Sequence, residues 1–276
     1  MSERPSSLPL LWGQTNYQTK IFFRNPMAAF FTLFFPLMIF VVLSLVFGNQ
    51  KIDYLGITTA QYYAPSMAVF AAVSATYTNL AVTTAYQRDQ GILKRVRGTP
   101  LPPTIYMGGK IISAVMIAAM AVLIMMTIGV AFYGVQVFAA TLPAAIVTFV
   151  VGVASFAALG LLIAAVVSSG ESATAVANAT LLPLAFISGV FVAPTVGAPV
   201  WLDAVANAFP LKHFAEPFIA AFNPLTEGAG WDWISLGYMT LWGVIAVFLA
   251  IRYFKWEAPV GGSRKSKRRR KATATV

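Results

Sequence analysis

Six long apolar stretches dominate the sequence. Each has about 20 predominantly apolar residues, the length of α-helix that crosses a hydrocarbon core roughly 30 Å thick. They cover approximately residues 27–47, 66–86, 110–132, 142–167, 173–192 and 234–253. The fifth is less apolar than the others because it carries Asn178 and Pro183. The pattern predicts an all-α polytopic membrane protein with six transmembrane helices.

The composition excludes a soluble enzyme. Hydrophobic residues make up 58% of the 276 residues and charged residues only 10%, whereas about a quarter of the residues in a soluble domain are charged. Cysteine is absent and His213 is the only histidine, so disulfides, thiol catalysis and cysteine metal sites are excluded. With no second histidine or cysteine to share a metal, an ordinary interfacial role for His213 is favoured over a metal or proton-sensing site.

The basic residues are distributed asymmetrically between the two sides of the predicted membrane. Of the 19 lysines and arginines, all but Lys51 and Lys212 fall on the side that holds both termini. Because the side richer in lysine and arginine normally stays in the cytoplasm, both termini are predicted to be cytoplasmic. An even number of spans agrees with this orientation.

The chain divides into three predicted parts. Residues 1–26 read as an amphipathic helix lying at the interface, with Leu10, Leu11, Tyr17, Ile21 and Phe22 on one side and Gly13, Asn16, Lys20 and Arg24 on the other. This helix could be a simple anchor or an elbow that also touches a cytoplasmic partner. Residues 27–254 form the six-helix transmembrane domain, whose first span is predicted to be retained rather than cleaved as a signal peptide. Residues 255–276 form a cytoplasmic polybasic tail.

The segment between the fifth and sixth spans is too apolar and too rich in proline for a free loop. Residues 193–232 contain five prolines separated by short apolar runs. Such a segment predicts short re-entrant or interfacial helices on the extracellular side, before the last span.

The segment between the second and third spans is the most informative. Basic residues surround Leu93 and Val96, and Gly98 with the prolines that follow ends any helix. A short amphipathic helix over residues 88–99 on the cytoplasmic side is suited to docking in a groove of another protein. The alternative is that these cations only enforce the topology of the chain.

The sequence of this segment resembles that of the permease subunits of type-2 ATP-binding-cassette exporters, which include multidrug and antibiotic efflux permeases. The matching residues are Arg88, Asp89, Gly91, Leu93, Lys94, Arg95, Arg97, Thr99, Pro100 and Leu101, whereas Gln87 replaces a residue that is usually acidic. The resemblance continues through residues 182–191, 199–202 and 209–214, in the family's order. It implies that residues 88–99 form a coupling helix that contacts a separate ATPase subunit, and that a salt bridge made by the usual acid is missing here.

The resemblance also implies partners and a mechanism. Two ATPase subunits would bind ATP and Mg²⁺ and drive export of a hydrophobic substrate, such as a drug, a lipid or a lipid-linked glycan, through a pathway between two permease chains, identical or related, in a bacterial plasma membrane. The chain itself lacks the phosphate-binding pattern Gly-x-x-x-x-Gly-Lys-Ser/Thr, since Thr104 and Ile111 stand at the positions of the first glycine and of the hydroxyl around Gly109-Lys110. It is therefore predicted to be a transport subunit with no cofactor of its own and no catalytic or metal-binding residue.

Polar residues inside the spans are candidates for lining the pathway. They are Ser74, Thr78, Asn79 and Thr83 in the second span and Asn178, Thr180 and Ser188 in the fifth, and Phe34 in the first span could meet an aromatic substrate. Hydroxyl and amide side chains in membranes more often bond neighbouring helices or their own backbone. A packing role is therefore the simpler interpretation of these residues.

Two other functional classes remain open. An ATP-independent secondary carrier or channel is disfavoured because no ionisable residue stands in the middle of a predicted span. A membrane anchor, or a lipid- or nucleic-acid-binding protein, would explain the basic residues between 264 and 271. The favoured interpretation, an exporter permease, predicts membrane lipids as partners and predicts no binding of nucleic acid.

Overall fold

The structure is a computed structural model that describes residues 6–47, 50–52, 55–193, 199–254 and 256. The basic tail predicted at 255–276 lies almost entirely outside these residues. The described chain is mostly helical, and its strands are two-residue segments, β1 (Lys51–Ile52) and β2 (Ile57–Thr58), which pair antiparallel. The all-α class predicted from the sequence is thus confirmed in its main feature.

Within the described residues, five helices are long and apolar enough to cross a membrane. They are Pro26–Phe47, Thr59–Asp89, Pro103–Tyr133, Leu142–Val166 and Trp233–Tyr253. The first combines α2 (Pro26–Ala29) with α3 (Phe35–Phe47), the second combines α4 (Thr59–Val73) with α5 (Asn79–Asp89), and the others are α7 (Pro103–Tyr133), α8 (Leu142–Val166) and α12 (Trp233–Tyr253). Several of these helices extend beyond the apolar stretches of the sequence. Residues that were expected in the loops therefore lie inside helices.

The predicted fifth span is a helix but does not join this group. It forms α9 (Gly170–Ile187), which has 18 residues. Its first half contains Glu171, Ser172, Thr174 and Asn178, and these polar residues lower its hydropathy. The count of six spans is therefore not confirmed by length and composition.

Local signals fix where the long helices begin and end. Pro26 and Pro103 stand at the first helical position, where the missing N–H costs nothing. Asn25 accepts a hydrogen bond from Ala28 N at 3.2 Å, which caps the first span. Gly134 ends α7 with a φ of 67°, a left-handed conformation that glycine adopts without strain.

Small residues let the long helices approach closely. A Cβ added to Gly160 on α8 would lie 2.5 Å from the carbonyl oxygen of Tyr77, and one added to Gly243 on α12 would lie 2.8 Å from Ser155 Oγ. Close backbone approach through glycine is the usual basis of helix association in membranes, where hydrophobic burial gives no drive. The helix Thr59–Asp89 is the most deeply buried of the long helices and occupies the centre of the packing.

Two π-helical turns interrupt the first two spans. They occupy Phe30–Phe34 and Ser74–Thr78. Each inserts one extra residue into the helix, and such turns are frequent at functional sites. The second is the segment against which Gly160 packs.

The N-terminal helix packs on α7. It forms α1 (Ser7–Phe23), and Thr19 Oγ1 lies 2.8 Å from Ser113 Oγ of α7. The predicted sides are largely confirmed. Phe22 is buried and Leu10, Leu11 and Ile21 are half-buried, whereas the residues of the other side, Gly13, Asn16, Lys20 and Arg24, are exposed. The exception is Tyr17, which was expected beside Phe22 but is 58% exposed, and the buried side also includes the polar residues Thr15 and Gln18.

The remaining described helices are short. Between α5 and α7 lies α6 (Ile92–Arg97), and between α9 and α12 lie α10 (Val200–Asn207) and α11 (Pro210–Ala220). The two short helices before the last span agree with the predicted segment, although residues 194–198 lie outside the described part of the chain.

Candidate functional site

The short helix α6 presents the predicted basic residues. Gly91 begins it with a φ of 69°, and Gly98 ends it. The side chains of Lys94, Arg95 and Arg97 are exposed. The helix is shorter than predicted, since residues 88 and 89 belong to α5.

The residue that follows α6 is held by its own local hydrogen bonds. Thr99 Oγ1 donates to the carbonyl oxygen of Val96 at 2.7 Å and accepts from Leu101 N at 3.4 Å. Thr99 is exposed.

Leu93 does not face outward. It is completely buried inside this chain, while Ile92 and Val96 are half-buried. The apolar side of α6, expected to dock in a partner, instead anchors the helix to its own protein. The exposed surface of α6 is therefore basic rather than amphipathic.

Arg88 is also buried, in contrast to its expected place in the coupling helix. It is 3% exposed, and its guanidinium donates to the carbonyl oxygens of Ala164 at 2.7 Å and Val167 at 2.8 Å. These carbonyls end α8, where backbone oxygens lack helical partners and the helix dipole favours a cation. Arg88 is thus a link between the end of α5 and the end of α8.

Asp89 makes the complementary link to α9. Its Oδ2 accepts a hydrogen bond from Gly170 N at 2.6 Å, at the first residue of α9, where a carboxylate is favoured. Gly170 also packs against Tyr86, since an added Cβ would lie 2.6 Å from the tyrosine ring. The end of α5 is therefore joined to α8 and α9 at the base of α6.

Gln87 belongs to a buried polar group that the sequence did not predict. Its Oε1 accepts hydrogen bonds from the Tyr106 hydroxyl at 2.7 Å and from Lys110 Nζ at 2.6 Å, and all three side chains are buried. Lys110 was expected at the cytoplasmic end of a span. It lies instead two turns inside α7, because that helix begins at Pro103.

A small cavity of about 40 Å³ lies beside this group, between α1, α5 and α7. Its polar lining residues are Gln18, Asn25, Asn79, Thr83, Gln87, Lys110 and Ser113. The structure thus brings two predicted pathway residues, Asn79 and Thr83, to one cavity. Thr83 Oγ1 also donates to Asn79 O at 2.6 Å.

The other predicted pathway residues are dispersed. Thr180 Oγ1 lies 2.7 Å from the Tyr77 hydroxyl, which joins α9 to the second π-helical turn. Ser74, Thr78 and Ser188 lie inside the chain, with no hydrogen-bond partner for Thr78 Oγ1 and Ser188 Oγ among the described residues.

Two of the candidates lie on outer surfaces. Asn178 is exposed on α9, and Phe34 is 61% exposed on the first span. The two side chains therefore do not belong to a site that this chain closes by itself.

A cluster of charges joins the short helices α10 and α11. Lys212 pairs with Asp203 and lies 3.5 Å from Glu216. The hydrogen bond from Lys212, together with its charge, lowers the pKa of Asp203. Although partial burial alone would lower the pKa of Lys212, the hydrogen bond to Asp203 and the charges of Glu216 and Asp203 raise it. Burial outweighs the attraction of Lys212 and raises the pKa of Glu216.

His213 joins α11 to the last span. Its Nδ1 lies 3.1 Å from Ser235 Oγ, and its Nε2 lies 3.0 Å from the carbonyl oxygen of Asn207. Both ring nitrogens therefore have protein partners. Among the described residues, no group of three or more histidine, cysteine, aspartate or glutamate residues is placed to hold a metal ion.

Comparisons with known proteins identify relatives of the chain. A family model described as the ABC-2 type transporter matches residues 10–223. The daunorubicin resistance ABC transporter permease protein DrrB1 of Streptomyces coeruleorubidus is 28% identical over 233 residues, which are 80% of this chain and 77% of that protein. The multidrug ABC transporter permease YbhR of Escherichia coli K12 is 26% identical over 168 residues, which are 61% of this chain and 44% of that protein. The chain is therefore similar to permease subunits along most of its length.

Proposed function

Because this chain belongs to the ABC-2 type transporter family, we propose that it is the membrane-spanning permease subunit of an ATP-driven exporter. It is a transport component rather than an enzyme, and a separate ATPase subunit, present in two copies, binds ATP and Mg²⁺. The site of action is the plasma membrane of a bacterium, with both termini in the cytoplasm. The substrate is a hydrophobic or amphipathic molecule.

The path of α9 supports a sixth crossing. The backbone N–H of its first residue, Gly170, donates a hydrogen bond to Asp89 Oδ2 at the end of the helix Thr59–Asp89. The turn after it contacts the other end of that helix, since Tyr62 donates to the carbonyl oxygen of Gly189 and Ser66 to that of Val190, both at 2.5 Å. The segment therefore runs alongside most of a membrane-spanning helix, as a sixth membrane crossing would.

The observation that supports the proposal is the set of hydrogen bonds that Arg88 and Asp89, at the base of α6, make to the ends of α8 and α9. We call these hydrogen bonds the joint. The helix exposes three cations, while Arg88 and Asp89 beside it bond the ends of α8 and α9. A force applied to α6 would reach three membrane helices through short hydrogen bonds. A coupling element requires such a connection. Basic residues that only fix the orientation of the chain in the membrane do not require it.

The proposed mechanism is mechanical. ATP-driven closure of the two ATPase subunits displaces α6, and the joint carries the displacement to α8 and α9. Two permease chains, identical or related, then move from an inward-facing to an outward-facing arrangement. No residue of this chain makes or breaks a covalent bond.

The second chain would cover surfaces that this chain leaves open. Asn178 and Leu182 are exposed on α9, and Phe34 is exposed on the first span. An exposed amide on a membrane helix is costly in lipid, so a protein neighbour or a water-filled pathway is favoured there. Purification of the chain only as a monomer, without an ATPase, would contradict this assembly.

The test reverses the charge of α6. Lys94→Glu and Arg95→Glu together should abolish export in vesicles that contain both subunits, while insertion of the permease into the membrane is unchanged. The control is Arg252→Glu, which reverses an exposed charge at the end of α12. Unchanged export by the double variant, at equal permease content, would refute the coupling role of α6.

One observation favours a second candidate, an ATP-independent carrier or channel. Lys110 is buried within a membrane helix, where ionisable groups often serve ion coupling. Export that persists after depletion of ATP, with an ion gradient in place, would support this candidate over the exporter.

A further inference from the structure

The cavity between α1, α5 and α7 has a buried floor and an open mouth. Gln18, Gln87, Lys110 and Ser113 line it and are buried. On the other side it is lined by residues that are at least partly exposed, which are Asn25, Asn79 and Thr83. A ligand could therefore reach Lys110 from outside the chain.

Lys110 has no counter-charge in the described part of the chain. It is 3% exposed, it forms no ion pair there, and its hydrogen-bond acceptor is the neutral Gln87 Oε1 at 2.6 Å. An ammonium group has three donors, so two remain for other acceptors. A buried charge without a partner is strongly unfavourable, and an anion in the cavity would remove that penalty.

The cavity contains a second buried donor. Gln18 is 7% exposed, and its side chain interacts with the Tyr106 hydroxyl, although its Nε2 makes no hydrogen bond of normal geometry among the described residues. Gln18 lies on α1, which Thr19 and Ser113 fasten to α7. The cavity therefore offers a cation and an amide donor on two helices that are held together.

The position of the cavity indicates which anion is available. Lys110 is the eighth residue of α7, so it lies roughly 10 Å from the start of that helix at 1.5 Å per residue. Asn25, at the cavity mouth, is the residue from which the first span begins. Both features place the cavity near the boundary of the membrane on the side of α6, where the phosphates of lipids are concentrated.

The size of the cavity limits what enters it. About 40 Å³ holds roughly three water-sized groups. This is enough for the oxygens of one anionic head group but not for a whole drug molecule. The rest of the ligand would extend through the mouth past Asn79 and Thr83.

We propose that this cavity binds the phosphate group of an amphipathic molecule, with Lys110 as its counter-ion. Lys110 Nζ donates to the phosphate oxygens, and Gln18 Nε2 supplies a further hydrogen bond. The site belongs to the permease chain itself and needs neither ATP nor the ATPase. The proposal therefore goes beyond the proposed export function and stands or falls separately from it.

The test measures ligand binding to the full purified chain in detergent by native mass spectrometry. The probes are dioleoyl phosphatidic acid and dioleoylglycerol, which differ only in the phosphate, together with inorganic phosphate. Phosphatidic acid should bind at least tenfold more tightly than dioleoylglycerol, and Lys110→Met should remove this preference. The matched control Lys20→Met, at an exposed lysine of α1 that does not line the cavity, should leave it within about threefold.

A second variant keeps Lys110 in place in case its replacement prevents folding. Thr83→Glu puts a carboxylate at the cavity mouth, where it competes with the ligand, and should also abolish the preference for phosphatidic acid. Inorganic phosphate that binds with the same dependence on Lys110 would make the free ion the source of the phosphate. Equal binding of phosphatidic acid and dioleoylglycerol, or a preference that survives both substitutions, would overturn the proposal.

Discussion

Replacement of Arg88 by lysine tests the joint at the base of α6. The guanidinium of Arg88 donates to two carbonyl oxygens, Ala164 O at 2.7 Å and Val167 O at 2.8 Å, from a nearly completely buried position. Lysine keeps the charge but lacks the planar fork that reaches both oxygens at once. One of the two hydrogen bonds is therefore lost, and the carbonyl that it served is left unpaired.

The magnitude follows from the energy of such a bond. A hydrogen bond to a charged group contributes about 1.5–3 kcal/mol, so Arg88→Lys should lower the free energy of unfolding by about 2 kcal/mol. The exposed Arg252 provides the control, since Arg252→Lys should change the free energy by less than about 0.5 kcal/mol. The coupling role predicts in addition that Arg88→Lys lowers the number of substrate molecules exported per ATP hydrolysed.

The assay is reversible unfolding of the purified chain by sodium dodecyl sulfate in mixed micelles, followed by tryptophan fluorescence. Export and ATP hydrolysis are then measured together in vesicles that contain the permease and its ATPase. An Arg88→Lys variant as stable as the wild type would refute the assigned hydrogen bonds. One that is destabilised but exports the same number of molecules per ATP would refute transmission through Arg88.

Two further predictions concern helix packing and the outer charge cluster. Gly160→Ala places a Cβ 2.5 Å from Tyr77 O and should destabilise the chain by about 1–3 kcal/mol in the same unfolding assay. The control is Gly237→Ala on α12, which has no atom within 4 Å of the added Cβ and should stabilise the chain slightly. Equal effects of the two substitutions would contradict the close approach of α8 to Tyr77. The depressed pKa of Asp203 stabilises the folded chain at a pH above the unfolded value, and this contribution is lost as the pH falls through the folded value. Asp203→Asn should therefore lower the midpoint of thermal unfolding at neutral pH but not at a pH below the pKa of Asp203, and a difference that persists in acid would contradict the pair with Lys212.

The sequence predicted the surface of the coupling segment better than its interior. Lys94, Arg95, Arg97 and Thr99 are exposed where the motif placed them, because charged and hydroxyl side chains favour solvent over an apolar interior. Leu93 faces inward, although its spacing among basic residues suggested a ridge for a partner. Periodicity identifies the apolar side of a helix but not which protein covers that side.

The ends of the long helices were the least predictable feature. Hydropathy ended the second span near residue 86 and began the third near residue 110, so Arg88 was assigned to the loop and Lys110 to the cytoplasmic end of the third span. Both lie in helices that extend beyond their apolar stretches, and both are buried by neighbouring helices. Only tertiary packing decides whether a cation at the end of a span meets solvent or protein.

The π-helical turns and the contacts made by the polar residues of α9 also depend on tertiary packing and could not be predicted from the sequence. The residue types in Ser74–Thr78 give no signal for an extra residue in the helix. The turn is recognised only in the structure, where Gly160 packs against Tyr77. Seven of the predicted pathway residues were chosen for their polarity and Phe34 for its aromatic ring, and one of the polar residues, Thr180, instead bonds Tyr77. Asn79 and Thr83 share a cavity with Lys110, a grouping that needs the packing of α1.

The central claim is that α6 lies on the cytoplasmic side of the membrane, where an ATPase can reach it. The chain contains no cysteine, so a single Thr99→Cys substitution at an exposed position after α6 can be labelled selectively, with Val200→Cys on the exposed face of α10 as the opposite-side control. Treatment of intact spheroplasts with a membrane-impermeant maleimide should label the cysteine at 200 at once and the cysteine at 99 only after permeabilisation. Labelling of the cysteine at 99 in intact spheroplasts would place α6 outside the cell and contradict the account.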